Sequence, residues 1–283
     1  MNKIDIRHEQ LKEQDYNLAK EILKQDNDLG EELLRTLSHE PELLYAMYLD
    51  NKLIALAQVE KATPQAYLSV FVAPLYRRQG FGASMLKYAE DILLDVGTIT
   101  VMSSFHANNK ESLAFARKHG YNTNFSSALM KRTGEPFLLE ELPVRPYRDE
   151  DYIKSQALSA IAFHEMRVRV GCFPNSVIAK PSEKGRKAWE EDKKNYFIYE
   201  EDDEIVALGH LSVNEISSIS VHTDFQGKGI GKKFTMYLSN ELYRRGYETI
   251  ELWCVVGNYA RNMYDSLGYK EKYIAEYPLK RLQ

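Results

Sequence analysis

The chain has 283 residues, 44% of them hydrophobic and 28% charged, which is long enough for two domains and too apolar for disorder. Its 37 basic residues are outnumbered by 41 acidic ones, and a net charge of −4 leaves no general nucleic-acid footprint. The opening Met1-Asn-Lys-Ile-Asp-Ile-Arg7 lacks the apolar core of a signal peptide and no run approaches membrane-spanning length, so a cytoplasmic protein off the membrane is expected. Cys172 and Cys254 lack metal-type spacing and read as free, buried thiols in a reducing compartment; no metal is expected.

In chain order, Ile4 to Arg7 opens a strand. The apolar spacing of Asp15 to Gln25 and of Leu29 to Leu37 predicts two helices, the second closed by Pro41. Leu43 to Leu49 and Leu53 to Val59 read as strands around a turn at Asp50-Asn-Lys52, and Tyr67 to Val72 as a third strand. A glycine turn then leads into a helix with Phe81, Met85, Tyr88, Ala89, Ile92 and Leu93 on one face, ended near Gly97. A strand at Thr98 to Met102, a helix at Lys110 to His119 and the pair Gly120-Tyr121 follow.

The same order returns downstream. Leu142 to Tyr147 is a stiff, proline-marked lead-in, and Asp149 to Phe163 reads as helix. Asn195 to Glu200 and Ile205 to Leu211 form a hairpin around the acidic tip Glu201-Asp-Asp203, which reads as a solvated turn. Next come a strand ending at Val221, a glycine turn, and a helix with Ile230, Phe234, Tyr237, Leu238 and Leu242 on one face. Gly246, a strand at Ile250 to Val256, a helix at Tyr259 to Leu267 and Gly268-Tyr269 complete the series. Gly82 and Gly231 are 149 residues apart, as are Gly97 and Gly246, while Gly120 and Gly268 are 148 apart. Two copies of one αβ unit are therefore expected, at 1–135 and 142–283, with Lys131 to Leu142 as the joint.

The stretch that organises each copy is its strand–turn–helix junction, Gln226-Gly-Lys-Gly-Ile-Gly231 in the second and Arg77-Arg-Gln-Gly-Phe-Gly82 in the first. The first N–H groups of a helix have no intrahelical acceptor, and the helix dipole adds partial positive charge there. Glycines let a bulky anion approach that backbone, so the turn suits a phosphate or pyrophosphate. A dinucleotide fingerprint would need a third glycine where Lys232 stands, and a nucleotide P-loop would need Ser or Thr where Lys233 stands.

The remaining pattern, Gln/Arg-x-x-Gly-x-Gly/Ala, resembles the pyrophosphate loop of the Gcn5-related N-acetyltransferase (GNAT) family, and both copies match it. The resemblance implies an α/β (α+β) protein with two tandem acyl-CoA N-acyltransferase folds, each a twisted mixed sheet flanked by helices, with acetyl-CoA as co-substrate between two splayed parallel strands. Gln226, Gly227, Lys228, Gly229, Ile230, Gly231 and Lys232 would meet its phosphates, and the backbone at Ile219 and Val221 its acetyl and pantetheine groups. Glu215 stands where some members carry a catalytic glutamate, and it also reads as an exposed strand-end carboxylate. His222 is a second candidate base, placed by strict alternation on the opposite face from Glu215, and also reads as a histidine at the start of a loop.

Tyr264, four residues before Gly268, matches the tyrosine of the family's second signature, which faces the sulfur of CoA; a core tyrosine is the competing reading. The signature asparagine falls at Gly257, and Asn258 stands beside it as the candidate pantetheine anchor. In the first copy the places of Glu215 and Tyr264 fall, by count, on Ala66 and Ala116, so that copy is expected to lack the chemistry. The resulting expectation is an N-acetyltransferase acting in its C-terminal half on a small-molecule or peptide amine. The alternatives are a non-catalytic CoA-binding or interaction module, or a transferase of another acyl group. Residues Asp149 to Lys194, with Arg167, Arg169, Phe173, Arg186 and Trp189, are expected to roof the acceptor pocket.

Overall fold

The computed structural model describes residues 5–173 and 176–282. In chain order the elements of the first copy are β1 (Ile6–Gln10), α1 (Tyr16–Leu23), α2 (Leu29–His39), β2 (Leu44–Leu49), β3 (Lys52–Glu60), β4 (Gln65–Val72), α3 (Phe81–Asp95), β5 (Thr100–Met102), β6 (Phe105–His106), α4 (Lys110–Lys118) and β7 (Asn122–Thr133). The second copy brings β8 (Val144–Pro146), α5 (Tyr152–Val170), α6 (Glu183–Glu191), β9 (Tyr196–Glu201), β10 (Glu204–Ser212), β11 (Glu215–Val221), α7 (Ile230–Arg244), β12 (Thr249–Val255), α8 (Ala260–Ser266) and β13 (Lys270–Arg281). The described residues contain no helix long and apolar enough to cross a membrane.

Packing divides the chain into one compact unit of residues 1–124 and 275–283, and another of 125–274. In the first unit the strand order is β1-β2-β3-β4-β5-β13, with β6 beside β13. Period-2 alternation sends Leu44, Ala46 and Tyr48 to a core under α1 and α2, while Tyr45 and Met47 meet Met85, Leu86, Ala89 and Leu93 of α3 on the other face. The second unit has the order β7-β12-β11-β10-β9-β8. There Ile230, Phe234, Leu238 and Leu242 of α7 pack one face, and Tyr147, Tyr152, Ile198 and Leu208 form a smaller cluster on the other.

This division differs from a joint at Lys131 to Leu142. β7 follows Gly120-Tyr121 as β13 follows Gly268-Tyr269, yet each pairs with the sheet of the other copy. Ser127 to Thr133 of β7 pair antiparallel with Val255 to Thr249 of β12, and Leu279 to Arg281 of β13 with Met102 to Thr100 of β5. The ladder of β7 runs into the stretch expected to be a linker, because its hydrogen bonds are made far away in the sequence.

A second difference lies inside the repeat. β3 and β4 pair without interruption, Gln58 with Ser69, Val59 with Leu68 and Glu60 with Tyr67. In β10 and β11 the register shifts, so that His210 faces Ser218 and Leu211 faces Ile216. Ser217 is left without a partner, as a β-bulge. The extra residue inverts the alternation before it and moves Glu215 to the face of Ser218 and Ser220.

Candidate functional site

β11 and β12 run parallel and share one ladder pair, Glu215 with Glu251. Beyond it they separate, β11 reaching Val221 and β12 Val255. At the top of β11 the chain passes through a short 3-10 turn, Thr223–Phe225, into Gln226 and the glycines. Gly227 (φ +76°) and Gly229 (φ +84°) both lie in the left-handed region, where a side chain is strained. Nothing lies within 4 Å of where their Cβ atoms would be, so the turn is open. Gly229 is the N-cap of α7 and supplies no side chain to its first N–H groups. Gln226 reaches back, donating from Nε2 to the Val221 carbonyl (3.2 Å), and accepts from the Tyr259 hydroxyl (2.8 Å). Lys228 lies over the Phe225 ring at 4.6 Å. Lys228 and Lys232 are exposed and form no ion pair among the described residues. The turn thus offers main-chain donors, a helix dipole and two free cations to an anion.

Glu215 is partly buried and its carboxyl is raised above the usual range, chiefly by burial and then by the neighbouring Glu251, while a hydrogen bond from Trp253 works against the rise. Glu251 is held by Lys131 at 2.6 Å. The bulge puts Glu215 on the α5 side of the sheet, where Ser159 Oγ and Ser220 Oγ lie 3.1 Å apart. The expectation that alternation separates Glu215 from His222 does not hold, because the bulge shifts the count by one and His222 lies past the end of β11. His222 is a turn residue: its Nδ1 accepts from the Asp224 N–H at 3.3 Å.

Tyr264, on α8, packs edge-on against Tyr269 with ring centroids 6.1 Å apart. Burial, with smaller contributions from Cys254, Tyr269 and Tyr259, pushes its phenol above the ordinary value. It is therefore a weaker acid than the free side chain. A hydrogen bond to a departing thiolate suits it better than outright proton loss. Cys254 is buried and its thiol is pushed up to about 11, so it is a poor nucleophile. Cys172, expected to be buried, is half-exposed.

Asn258 Oδ1 accepts from the Ala260 N–H (3.0 Å) at the start of α8. Asn109 does the same for α4, accepting from Ser112 N at 3.0 Å. The two asparagines are 149 residues apart, so Asn258 holds the place of Asn109, and the stretch from Asn258 to Gly268 is one residue shorter than that from Asn109 to Gly120.

The first unit repeats the junction with different side chains. Arg77 Nε donates to the Val72 carbonyl (2.9 Å), as Gln226 does to Val221, and its guanidinium is committed to Asp26 at 2.5 Å. Arg78 has φ +63° where the second copy has Gly227. A cavity of about 510 Å³ opens at this junction, lined by Val70, Arg78, Gly80, Asn109, Phe115 and Ala116 among others. Ala116, where count places the counterpart of Tyr264, leaves that wall of the cavity low.

The counterpart of Glu215 is not Ala66. Tyr67 pairs with Met102 as Glu215 pairs with Glu251, and the bulge at Ser217 accounts for the one-residue slip in the count. Tyr67 donates to Glu32 Oε1 in a very short hydrogen bond, and its hydroxyl lies 2.7 Å from Ser104 Oγ and 3.2 Å from Ser69 Oγ. Burial raises the Glu32 carboxyl, and the Tyr67 hydrogen bond is the largest influence against that rise. A proton-bearing cluster stands where sequence counting leaves an alanine.

A model described as the acetyltransferase (GNAT) family matches residues 7–121, and one described as the acetyltransferase (GNAT) domain matches 155–277. Among solved structures, a GCN5-related N-acetyltransferase from Sphaerobacter thermophilus is 19% identical, with a TM-score of 0.73 over 98% of this chain and 95% of that one. An acetyltransferase from the GNAT family of Colwellia psychrerythraea is 13% identical, with a TM-score of 0.61 over 98% and 100%. A tandem GNAT protein from the clavulanic acid biosynthesis pathway is 11% identical, with a TM-score of 0.64 over 98% of each chain. At these identities the likeness is one of fold. No curated protein matches the chain.

Proposed function

Because the chain belongs to the GNAT acetyltransferase family, and so to the acyl-CoA N-acetyltransferases in general, we propose that its C-terminal half moves an acetyl group from acetyl-CoA to an amine by direct attack in a ternary complex. The observation that carries this reading is the separation of β11 from β12 beyond Glu215, ending at an open glycine turn on the N-terminus of α7. In this reading the pyrophosphate rests on the main chain of residues 226–231, with Lys228 and Lys232 alongside. The thioester lies between the strands, its carbonyl on a backbone N–H at Ile219 or Val221, where a fixed donor stabilises the tetrahedral intermediate. Asn258 orders the start of α8 beside the pantetheine arm.

An ammonium of pKa about 10.4 must lose its proton before it attacks, and a free Glu near 4.3 is mismatched by roughly six units, on the order of 8 kcal/mol. The raised carboxyl of Glu215, on the α5 face, narrows that gap. Tyr264 hydrogen-bonds the leaving sulfur. Most of the rate comes from holding amine and thioester together. The test is release of free CoA from acetyl-CoA and longer acyl-CoAs across a panel of small amines and peptide N-termini. Release that needs an amine and fails in Tyr264→Phe supports the reading, whereas acetyl-CoA binding without turnover for any amine leaves a non-catalytic binding module.

The cavity beside Arg78 and Gly80 favours a second role for the first unit, binding CoA without transfer. Calorimetry gives two CoA per chain if so, and one if that unit stays empty.

A further inference from the structure

Asp192, His210 and Ser217 meet on the α5 side of the second unit. His210 lies across from Tyr196 in the β9–β10 ladder and stacks on its ring at 4.2 Å, and Trp189 stacks on Tyr196 in turn at 4.6 Å. The imidazole is held at both nitrogens, Nε2 at 2.7 Å from Asp192 Oδ2 and Nδ1 at 2.5 Å from Ser217 Oγ. The other oxygen of Asp192 accepts from Asn195 Nδ2 at 2.5 Å, which fixes the carboxylate. A carboxylate only accepts, so Nε2 of the neutral ring carries its proton and Nδ1 offers a lone pair to the Ser217 hydroxyl, which has the His210 carbonyl at 3.2 Å as its other acceptor. Ser217 is the bulged residue of β11 and is exposed, four positions before Val221. A cavity of about 190 Å³ lies on the same side, lined by Ser159, Phe163, Arg167 and Trp189.

We propose that Ser217, His210 and Asp192 form a relay that takes the proton from the acceptor amine, with Ser217 as the contact and His210 as the proton acceptor behind it. The proposal rests on the acetyl-transfer reading of this half. The acceptor R–NH3⁺ gives a proton to Ser217 Oγ as the Ser217 hydroxyl proton passes to His210 Nδ1. A neutral amine and an imidazolium result, and the Asp192 carboxylate balances the new charge. Asp192 is a positioning residue, fixing the tautomer that lets Ser217 donate. Glu215, on the same face, then serves to hold the ammonium by charge.

The test uses the full-length protein with acetyl-CoA and the amine that releases CoA fastest. His210→Ala lowers kcat about a hundredfold, leaves the KM for acetyl-CoA unchanged, and recovers at least tenfold when imidazole is added to fill the slot beside Tyr196. Ser217→Ala and Asp192→Asn lower kcat about tenfold each. In the wild-type protein, nitrogen-15 NMR finds His210 as the Nε2–H tautomer, a readout that needs no turnover. A His210→Ala kcat within twofold of wild type overturns the relay, as does a loss that imidazole does not repair, an Nδ1–H tautomer, or a stable acyl group on Ser217. A wild-type protein that binds no acetyl-CoA sinks the acetyl-transfer reading itself, and the NMR result then stands alone as a statement about the side chains.

Discussion

The two copies share a junction and differ in what they place around it. In the second, the left-handed positions of the turn are both glycine, the cations at the turn are free, and Glu215 and Tyr264 stand on either side of the separated strands. In the first, Arg78 takes one left-handed position, Arg77 is tied to Asp26, and Ala116 lines a cavity of about 510 Å³. Its equivalent of Glu215 is Tyr67, locked to Glu32, Ser69 and Ser104. The difference teaches that the two copies share the open turn at the start of a helix, while the proton-bearing groups around it are not shared. In the first copy those groups are bonded to each other, Tyr67 with Glu32, Ser69 and Ser104.

The strongest way to break this comparison is at the turn. Gly229→Val puts a β-branched residue at φ +84° beside the first N–H groups of α7, and acetyl transfer is expected to fall at least a hundredfold. Gly80→Val, at φ +91° in the first copy, should leave turnover within twofold and lower only the number of CoA bound. Steady-state CoA release and calorimetry separate the two. Equal losses of turnover from both variants mean that the copies do not divide the work as described.

Tyr264→Phe comes next, with kcat expected down by roughly 10- to 100-fold at an unchanged KM, the signature of a contact made in the transition state. Because the phenol is raised, the wild-type rate should show no alkaline loss from this residue below pH about 10. The converse change, Ala116→Tyr, fills part of the first cavity and should weaken CoA binding there without adding activity.

Glu215→Gln should cost about tenfold in kcat/KM at neutral pH. The sign of its pH effect is fixed: the ionised carboxylate is the useful form, and its pKa lies above the usual value. The wild-type rate therefore falls as pH drops through that raised pKa, and the variant loses this acid limb. The smallest functional effect belongs to Tyr67→Phe, with turnover unchanged and stability reduced by about 1–3 kcal/mol in urea melts. Glu32 then lacks its main donor, so its carboxyl rises further. The destabilisation grows as pH increases and more of the buried group must ionise.

Much of this was legible in the sequence. The turns at 77–82 and 226–231, the amphipathic α3 and α7, the hairpins and the register of the copies all rest on local spacing, and local spacing is what one chain displays. The misses were non-local. Ser217 is a small polar residue in a strand, with no glycine to mark a bulge, and its effect is visible only against His210 and Leu211 across the ladder. That single slip turned Tyr67 into Ala66 in the count and set Glu215 and His222 on opposite faces. Asp192, His210 and Ser217 carry no motif spacing, because three different elements bring them together. The joint at Lys131 to Leu142 had the glycine and prolines of a linker, yet β7 crosses into it since its partners lie more than a hundred residues later, at Val255 to Thr249.

The exchanged strands have a consequence for how the protein is born. The sheet of the first unit closes only when Ala275 to Arg281 lie against β6 and β5, and these residues leave the ribosome after the whole of the second unit. The nascent first unit must wait with the edge of β5 uncovered, the kind of long-range pairing that slows folding and invites wrong partners. Ser127 to Thr133 are synthesised early and must likewise be held for β12. Neither half of the gene therefore encodes a complete unit, and a cut near the middle of the chain yields two fragments that each lack a strand the other carries.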